Sequence, residues 1–398
     1  MKKLTALLAS ATMALSLVGC SAGKTYTGEA FGHDKENPVK VTLTIKDKTI
    51  TKVEVDASHE TNGIGSKAAE TMPGAIVAAN SLDVDGVSGA TQTSKAIIEA
   101  ATAALKQAGL EPSDLVSKNT STTKAKDIEE TVDVVVVGAG GAGMTAAITA
   151  TDAGKKVIVV ESQPIAGGNS VRSTGGMNAA KTPYQDKNEF KEAAGVEKTL
   201  ATAAEKFADN ETITALAATV KSQWDAYQAN PQGYFDSPEL MALDTMIGGK
   251  GKNDPELVKI LTQNSAAAIE WLASIGAELK SVGAAGGASV KRIHRPVDEN
   301  GKTAAVGAYI VPILEKNVHD AGVEVITDTT AKKLLTENGK VVGVEAEGKD
   351  GNKVVIHAKS VIMATGGFGA NHEMVEKYKP ELKGFATTNA EGAQGQGI

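Results

Sequence analysis

A glycine-rich turn that directly follows four consecutive valines leaves few folds open to the second part of this chain. Val134 to Val137 have the uniform apolar character of a strand that is buried on both faces of a parallel sheet. The next six residues, Gly138 to Gly143, have the sequence GAGGAG, which fits G-x-G-x-x-G and precedes a predicted helix of small residues. A second valine-rich strand at 157–160 ends beside Glu161. This order of elements predicts an α/β, Rossmann-like domain with a parallel sheet over residues 131–398.

The spacing of the glycines indicates a dinucleotide cradle. Gly138 permits the tight turn, Gly140 lets the backbone approach a pyrophosphate, and Gly143 lets the helix pack closely on the strand. The helix N-terminus offers free N–H groups and a positive dipole end to the phosphates. Glu161 can accept hydrogen bonds from two ribose hydroxyls, and a carboxylate at this place argues against the 2′-phosphate of NADP. A glycine turn in a domain that holds no cofactor is the alternative interpretation.

The segment after Glu161 favours FAD over NAD. It has the sequence PIAGGNSVRSTGGMNAA from Pro164 to Ala180, whereas a domain that binds only NAD would continue into a helix. An extended loop that is rich in glycine exposes its backbone amides, and it can run beneath a long cofactor such as FAD. The residues therefore predict non-covalent FAD in this domain.

A small α+β module is predicted ahead of it, over residues 26–110. Apolar and polar residues alternate from Val39 to Val55 around a turn at 46–48, which predicts a hairpin with one buried face. Apolar residues at helical spacing follow from Ser94 onward. A polar stretch rich in Ser, Thr and Lys at 111–130 is predicted to be a linker between the two domains.

The run DGVSGAT, from Asp85 to Thr91, has two interpretations. Its small residues and hydroxyls are typical of a turn that caps a helix, with Ser88 or Thr91 as the capping residue. Alternatively, Thr91 is an attachment point for a phosphate, because the dipole and free N–H groups of a helix N-terminus favour a phosphate dianion.

The first residues are predicted to be a lipoprotein signal peptide, at 1–20, and not part of the fold. Two lysines precede an apolar run from Leu4 to Val18 that is too short for a membrane-spanning helix. The run ends in LVGC at 17–20, which resembles the bacterial lipoprotein processing box. The resemblance implies cleavage before Cys20, acylation of its sulfur, and an anchor on the extracytoplasmic face of the membrane. A plain signal peptide with an incidental cysteine is the alternative.

The composition excludes several classes of cofactor and partner. Cys20 is the only cysteine in the chain, which excludes an internal disulfide and a cysteine-based metal cluster. The six histidines show no metal-ligand spacing with one another, so no metal site is predicted. The net charge of −7 gives no basic surface for nucleic acid.

From Val132 to Ile398 the chain resembles the flavoprotein subunit family of fumarate reductase and succinate dehydrogenase. It is most similar to the soluble branch, the flavocytochrome-c-type fumarate reductases and the urocanate reductases. The motifs that carry the resemblance are GAGGAG at 138–143, Glu161, GGNS at 167–170, GGMNAA at 175–180, NDPELVK at 253–259, GGASVKRIHRP at 286–296 and VIMATGGFG at 361–369. The resemblance implies FAD, held beside the cradle glycines by Ala142, Glu161, Gly168, Asn169, Ser170, Gly175 and Gly176. One departure is Gln396, where the family commonly has Asp between two glycines.

The first module resembles a small FMN-binding domain found in sodium-pumping and extracytoplasmic flavoproteins. The domain's signature, Asp-Gly-x-Ser/Thr-Gly-Ala-Thr, is matched at every position from Asp85 to Thr91. The sequence HETNGIGSKA at 59–68 resembles the other flavin-side loop of that domain. The resemblance implies that a flavin transferase esterifies the phosphate of FMN onto the Thr91 hydroxyl, so that this second flavin is covalent.

No residue of the chain receives a catalytic assignment. His294 is a candidate because histidine can donate protons near neutral pH, but Arg292 and Arg295 flank it, and a structural or flavin-side role is an equal alternative. In the family an arginine donates the proton, and other His, Arg and Thr residues hold the substrate carboxylates. Those residues follow the segment that matches 384–398, so we expect the chain to be a truncated fragment that lacks the capping domain.

The combined features predict an extracytoplasmic, lipid-anchored reductase of the C=C bond of a small unsaturated carboxylate. Electrons would enter at FMN from a membrane or extracytoplasmic donor, pass to FAD and reach the substrate. Urocanate is the first candidate, because an FMN module followed by an FAD module without a haem motif resembles the urocanate reductases. Fumarate and acrylate-type acids are alternative substrates. An FMN/FAD electron-transfer lipoprotein without its own substrate site, or a lipoprotein that binds a ligand without turnover, is the alternative from another class.

Overall fold

The structure is a computed structural model that describes residues 23–87, 90–116, 125–298 and 300–398. The predicted signal peptide at 1–20, with Cys20, lies outside the described residues, as do Ser88 and Gly89 of the DGVSGAT run. Within the described residues, the chain forms two compact units.

The smaller unit is a three-stranded antiparallel sheet with two helices. Its elements are β1 (Lys24–Ala30), β2 (Val39–Lys46), β3 (Thr49–Asp56), α1 (Gly65–Ala79) and α2 (Thr91–Gln107). The predicted hairpin is confirmed, since β2 and β3 pair antiparallel and Asp47 and Lys48 have the positive φ angles that a tight hairpin turn requires. Alternate residues of β2 are buried, and α2 buries Ile97, Ala101 and Leu105 on one face. The unit is therefore the small α+β fold that the alternation and the helical spacing predict.

The larger unit is built around a six-stranded sheet with helices on it. In chain order its elements are β4 (Ile128–Val137), α3 (Gly141–Asp152), β5 (Val157–Val160), α4 (Gly168–Val171), β6 (Met177–Asn178), α5 (Ala193–Lys206), α6 (Glu211–Ala229), α7 (Pro238–Gly248), α8 (Pro255–Ser274), β7 (Ser281–Gly283), β8 (Ile293–Arg295), α9 (Val306–Asp320), β9 (Glu324–Ile326), β10 (Thr329–Glu337), β11 (Lys340–Gly348), β12 (Lys353–Met363) and α10 (His372–Tyr378).

The main sheet has the order β10-β11-β12-β4-β5-β9. Strands β12, β4, β5 and β9 are parallel, as a Rossmann-like domain requires, whereas β10, β11 and β12 form an antiparallel meander. Val134 and Val136 belong to one hydrophobic cluster, with α3 and α9, and Val135 and Val137 belong to another on the opposite face. The prediction that the valine strand is buried on both faces is thus confirmed, and the sheet is mixed where a parallel one was expected.

Strand β4 begins inside the predicted linker. Residues 128–130 continue the parallel pairing with β12, where Ile128 lies opposite Val354, so that the strand starts before residue 131. Glu129 and Glu130 are polar and exposed, so the pairing with β12 is what defines this stretch as a strand. Among the residues that the structure describes, no helix has the length and apolar character to cross a membrane.

Helices α5 to α8 form a layer with its own hydrophobic cluster, which contains Trp224 and Phe235. Three of these helices begin at side-chain caps, because Asn210, Ser237 and Asp254 accept hydrogen bonds from backbone N–H groups of the first turn. A second, small sheet has the order β6-β8-β7. The mainly helical pattern predicted from Thr199 to Leu279 is confirmed.

Candidate dinucleotide-binding site

A cleft of about 670 Å³ lies at the carboxyl ends of β4 and β5. In an α/β sheet this is the edge at which ligands bind, because helix N-termini and strand-ending loops meet there. Of the residues that the sequence predicts to contact the cofactor, the following line the cleft: Gly138, Gly140, Ala142, Glu161, Gly168, Asn169 and Ser170. Gly143, Gly175 and Gly176 are not among the lining residues, nor is Thr91, which is the first residue of α2.

Two of the cradle positions accept glycine alone. Gly138 has φ of +107°, and a Cβ there would collide with the backbone carbonyl of Ala364 at the end of β12. A Cβ at Gly143 would overlap the carbonyl oxygen of Gly138, because α3 packs directly on the turn. Gly143 is buried. It therefore allows the close packing of α3 on the glycine turn and does not face the ligand.

The first turn of α3 faces the cleft. The nearest atom to an added Cβ at Gly140 is the hydroxyl oxygen of Ser170, at 3.7 Å, so the backbone at Gly140 is open to a ligand. The N–H of Gly141 donates to the same hydroxyl at 3.1 Å, and Ala142 is exposed. The free N–H groups and the dipole of this helix end favour a pyrophosphate at this position.

Glu161 is buried at the end of β5, and its two carboxylate oxygens accept hydrogen bonds from two segments beside the cleft. One carboxylate oxygen accepts a hydrogen bond from the N–H of Ala139 at 2.7 Å, and the other accepts from the N–H of Gln163 at 2.8 Å. Only 8% of the residue is exposed, on the side that lines the cleft. The Ser162 hydroxyl also donates to the oxygen that holds Gln163, at 3.3 Å. The oxygen that holds the Ala139 N–H keeps a further lone pair, so the carboxylate can hold the glycine turn and accept a ribose hydroxyl at the same time.

Replacing Glu161 by alanine is expected to weaken FAD binding by roughly 10- to 100-fold, since a hydrogen bond to a charged group contributes about 1.5–3 kcal/mol. The loss arises because the N–H of Ala139 loses its acceptor and the ribose loses a carboxylate. Titration of the FAD-free protein with FAD, followed by flavin fluorescence, measures the change. Glu197→Ala is the control, since Glu197 is exposed on α5. An affinity of Glu161→Ala within about two-fold of the unmodified protein would contradict the assignment.

Most of the far wall of the cleft comes from residues that the sequence does not indicate, and Asn169 and Gln396 are the exceptions. Asn169 donates to the Asn389 side chain at 2.7 Å and accepts from the N–H of Ala390 at 2.6 Å, which holds the segment after α10 against the cleft. Gly392, Gln396 and Gly397 of this segment line the cleft, together with residues 329–334 of β10. Gln396, the position that departs from the family pattern, therefore faces the site.

Gly175 and Gly176 directly precede β6, the first strand of the small sheet. The strand that follows them, β6, pairs with β8, and Met177 lies opposite His294. Gly175 is exposed and Gly176 is partly exposed, so their backbone groups stay available to a ligand outside the cleft described above.

His294 belongs to the interior of the larger unit. It is fully buried, its Nε2 lies 2.7 Å from the Thr182 hydroxyl, and its Nδ1 lies 2.8 Å from the carbonyl of Arg292. Burial lowers the pKa of His294 below its ordinary value, although the backbone hydrogen bonds oppose this, so the ring is neutral near pH 7. These contacts favour the structural alternative over proton donation to a substrate.

Arg292 is the centre of a buried ion network beside His294. Its guanidinium donates to both oxygens of Asp236, at 2.8 and 3.2 Å, and to Asp244 at 2.6 Å. Burial alone would lower the pKa of Arg292, but the two carboxylates raise it above its ordinary value. Gln185 donates to Asp236 and Ser289 donates to Asp244, so the network joins β8 to α7 and to the loop after β6.

Thr91 is the first residue of α2 and is exposed. Its hydroxyl therefore lies at the N-terminus of a helix of 17 residues, as the sequence analysis predicts. The two residues of the run that remain outside the described residues, Ser88 and Gly89, precede it by a few positions.

Comparison with protein families gives matches to both modules. The family described as FAD binding domain matches residues 133–234 and 223–398, and the family described as FMN-binding domain matches residues 34–106. The chain belongs to the FAD-binding flavoprotein family. It carries an FAD-binding domain and an FMN-binding domain, and the proteins to which it is similar include an NADH:acrylate oxidoreductase and a cytochrome-type fumarate reductase.

Three similar proteins place the chain within this family. NADH:acrylate oxidoreductase of Vibrio harveyi is 36% identical over 397 residues, which cover 94% of this chain and 38% of that protein. Urocanate reductase of Eggerthella lenta is 32% identical over 396 residues, covering 96% of this chain and 56% of that protein. The open conformation of a flavocytochrome c3 fumarate reductase superposes with a TM-score of 0.53 at 34% identity, covering 67% of this chain and 39% of that one. The chain thus spans from about two fifths to just over half of the length of these relatives.

The residues of the cleft fit FAD. The open backbone at Gly140, the exposed first turn of α3 and the buried carboxylate of Glu161 provide a phosphate site and a ribose site at one sheet edge. Within the described part of the chain, no group of His, Cys, Asp or Glu residues could hold a metal ion.

Proposed function

We propose that the chain acts in the reduction of the C=C bond of a small unsaturated carboxylate, with urocanate as the first candidate substrate. The observation that carries the proposal is the alignment of both flavin modules, over 94–96% of the chain, with an NADH:acrylate oxidoreductase and a urocanate reductase. Fumarate is the second candidate, because an NADH:fumarate oxidoreductase of Klebsiella pneumoniae is 33% identical over 92% of the chain.

In this proposal the larger unit binds FAD, which supplies the hydride chemistry when it is bound. The N–H groups at the start of α3 would hold the pyrophosphate, Glu161 would hold the ribose, and the exposed backbone around Gly175 and Gly176 would be available to the flavin. Asn169 keeps the segment with Gln396 in place across the cleft. None of the described side chains is assigned the transfer of a proton to the substrate.

The smaller unit is proposed to carry FMN on Thr91. Attack of the Thr91 hydroxyl oxygen on the FMN phosphorus of FAD would form the phosphoester and break the pyrophosphate bond, with AMP as the leaving group. The hydroxyl proton goes to solvent or to a base of the flavin transferase. Electrons from a membrane or extracytoplasmic donor would then enter at FMN and pass to FAD.

The place of action is part of the proposal. The processing box at 17–20 supports export and a lipid anchor on Cys20, which would hold both flavins at the extracytoplasmic face of the membrane. In that position, both flavins would be within reach of an electron donor at the membrane surface.

Steady-state assays of the full-length protein with reduced viologen and urocanate, fumarate or acrylate test the proposed reaction. We expect oxidation of the viologen with one of the three acids. The kcat/KM for that acid should be at least about ten-fold above the values for the other two, which corresponds to a difference of about 1.4 kcal/mol in transition-state binding. Oxidation with none of the acids, in protein that contains both flavins, would contradict the proposal and favour an electron-transfer lipoprotein without a substrate site.

A further inference from the structure

We propose that Glu60 is a positioning residue that fixes the first turn of α2, so that the Thr91 hydroxyl is held in place to receive FMN. The inference rests on the proposed attachment of FMN to Thr91. It assigns Glu60 a role through Thr93, without contact with the flavin.

The carboxylate of Glu60 joins three segments of the smaller unit. One oxygen accepts a hydrogen bond from the N–H of Asp34 at 3.0 Å. The other accepts from the N–H of His33, also at 3.0 Å, and from the hydroxyl of Thr93. His33 and Asp34 follow β1, Glu60 follows β3, and Thr93 lies in the first turn of α2. Glu60 thereby joins the loop at His33 and Asp34, which precedes it by 26–27 residues, to the start of α2, which follows it by 33 residues.

All three contacts place a donor opposite an oxygen of Glu60. The residue is 7% exposed, so these three hydrogen bonds satisfy a polar group that is almost fully buried. A carboxylate only accepts hydrogen bonds, whereas an amide in its place would direct an N–H₂ group at the N–H of His33 or of Asp34. Glutamine therefore preserves the size of the side chain and breaks the contact pattern.

The contact with Thr93 bears on Thr91 because both belong to one helical turn. The first turn of a helix is its weakest part, since its N–H groups have no partners within the helix. Thr93 is 3% exposed and anchored by Glu60, whereas Thr91 is exposed at the start of the same turn. Fixing Thr93 holds the backbone of the turn from which the Thr91 side chain projects. A hydroxyl that must attack phosphorus in line with a leaving group reacts faster when its direction is fixed.

The test is the rate at which the full chain receives FMN from FAD in the presence of a flavin transferase, followed by intact-mass spectrometry. For Glu60→Gln we expect kcat of the transfer to fall roughly ten-fold or more, with KM for the acceptor protein changed less than about two-fold. Thr93→Val removes the hydroxyl and keeps the branched shape, so it should lower kcat similarly, and Thr93→Ser should restore most of it. Glu99→Gln is the control, because Glu99 is exposed on α2 and its ion pair is with Lys95, one turn away on the same helix.

Thermal melting separates positioning from folding, since all rates are measured well below the transition of every variant. If Glu60→Gln and Thr93→Val are labelled as fast as the unmodified chain, Glu60 has no positioning role, whatever it does to the melting temperature. If Glu60→Gln does not fold, the Thr93→Val and Thr93→Ser pair decides the question. If the unmodified chain receives no FMN, the proposed attachment to Thr91 fails, and the role of Glu60 fails with it.

Discussion

The Thr91→Ala variant is expected to carry no covalently bound flavin while its larger unit still binds FAD. Alanine lacks the hydroxyl oxygen that forms the phosphoester, so the loss should be complete and not partial. Thr91 is exposed at the start of α2, and its removal leaves the buried face of that helix unchanged. Intact-mass spectrometry of the denatured protein, together with flavin fluorescence in a denaturing gel, measures the covalent flavin. The absorbance of released FAD measures the second site.

Thr102→Ala is the matched control for this variant. Thr102 lies on the same helix, and its hydroxyl donates to the carbonyl of Ile98 within that helix. The control should therefore keep the covalent flavin in full. Covalent flavin that persists in Thr91→Ala would show that the attachment point is another residue, and the interpretation of the DGVSGAT run would be wrong.

The Arg292→Met variant is expected to lose about 3–5 kcal/mol of unfolding free energy, the range for removing one partner of a buried ion pair. Methionine leaves Asp236 and Asp244 buried without a counter-charge, and both carboxylates are almost fully shielded from water. Urea unfolding of the larger unit, followed by tryptophan fluorescence, measures the loss, because Trp224 lies in the adjacent helical layer. The matched control is Lys221→Met, which removes an exposed i,i+4 pair with Asp225 and should cost at most about 0.5 kcal/mol.

The loss of unfolding free energy in Arg292→Met should depend on pH. Burial raises the pKa of Asp236, although Arg292 and Gln185 oppose this by charge and hydrogen bonds, and the opposition from Arg292 is absent in the variant. A carboxyl whose folded pKa lies above its unfolded value stabilises the fold at low pH and loses that contribution as pH rises through the folded pKa. The variant should therefore recover stability, relative to the unmodified protein, as pH falls from about 7 to about 5. A loss below about 1 kcal/mol at neutral pH would show that the network contributes little.

Local sequence patterns predict the nucleotide half of the larger unit well. The valines of β4, the glycine turn, α3 and Glu161 are contiguous, and each has a residue type that its position requires. The same holds for the hairpin of β2 and β3, whose turn residues and alternation are local. Where a strand is defined only by its partner, as at Ile128 opposite Val354, the pattern misses it, because the polar residues there carry no strand signal.

The remaining parts of the site depend on contacts between distant residues. Gln396 and residues 329–334 face the cleft because the chain folds back, and no periodicity in those segments indicates it. The roles of Arg292 and His294 were left open by the sequence, since the motif fixes their order but not their burial. Glu60 lies in a segment whose resemblance indicates a flavin-side loop, yet its three donors come from other parts of the chain.

The hydrogen bonds between Asn169 and the segment at Asn389 join residues 220 positions apart. Contacts of such sequence separation form late, because the loop that they close carries a large entropic cost until the sheet between its ends is in place. The wall of the cleft that contains Gln396 is therefore among the last parts to assemble. The glycine turn and α3 can form without this wall, because their contacts are local. Stable capture of FAD should therefore wait until the Asn389 segment has reached Asn169, since residues of that segment complete the lining of the cleft.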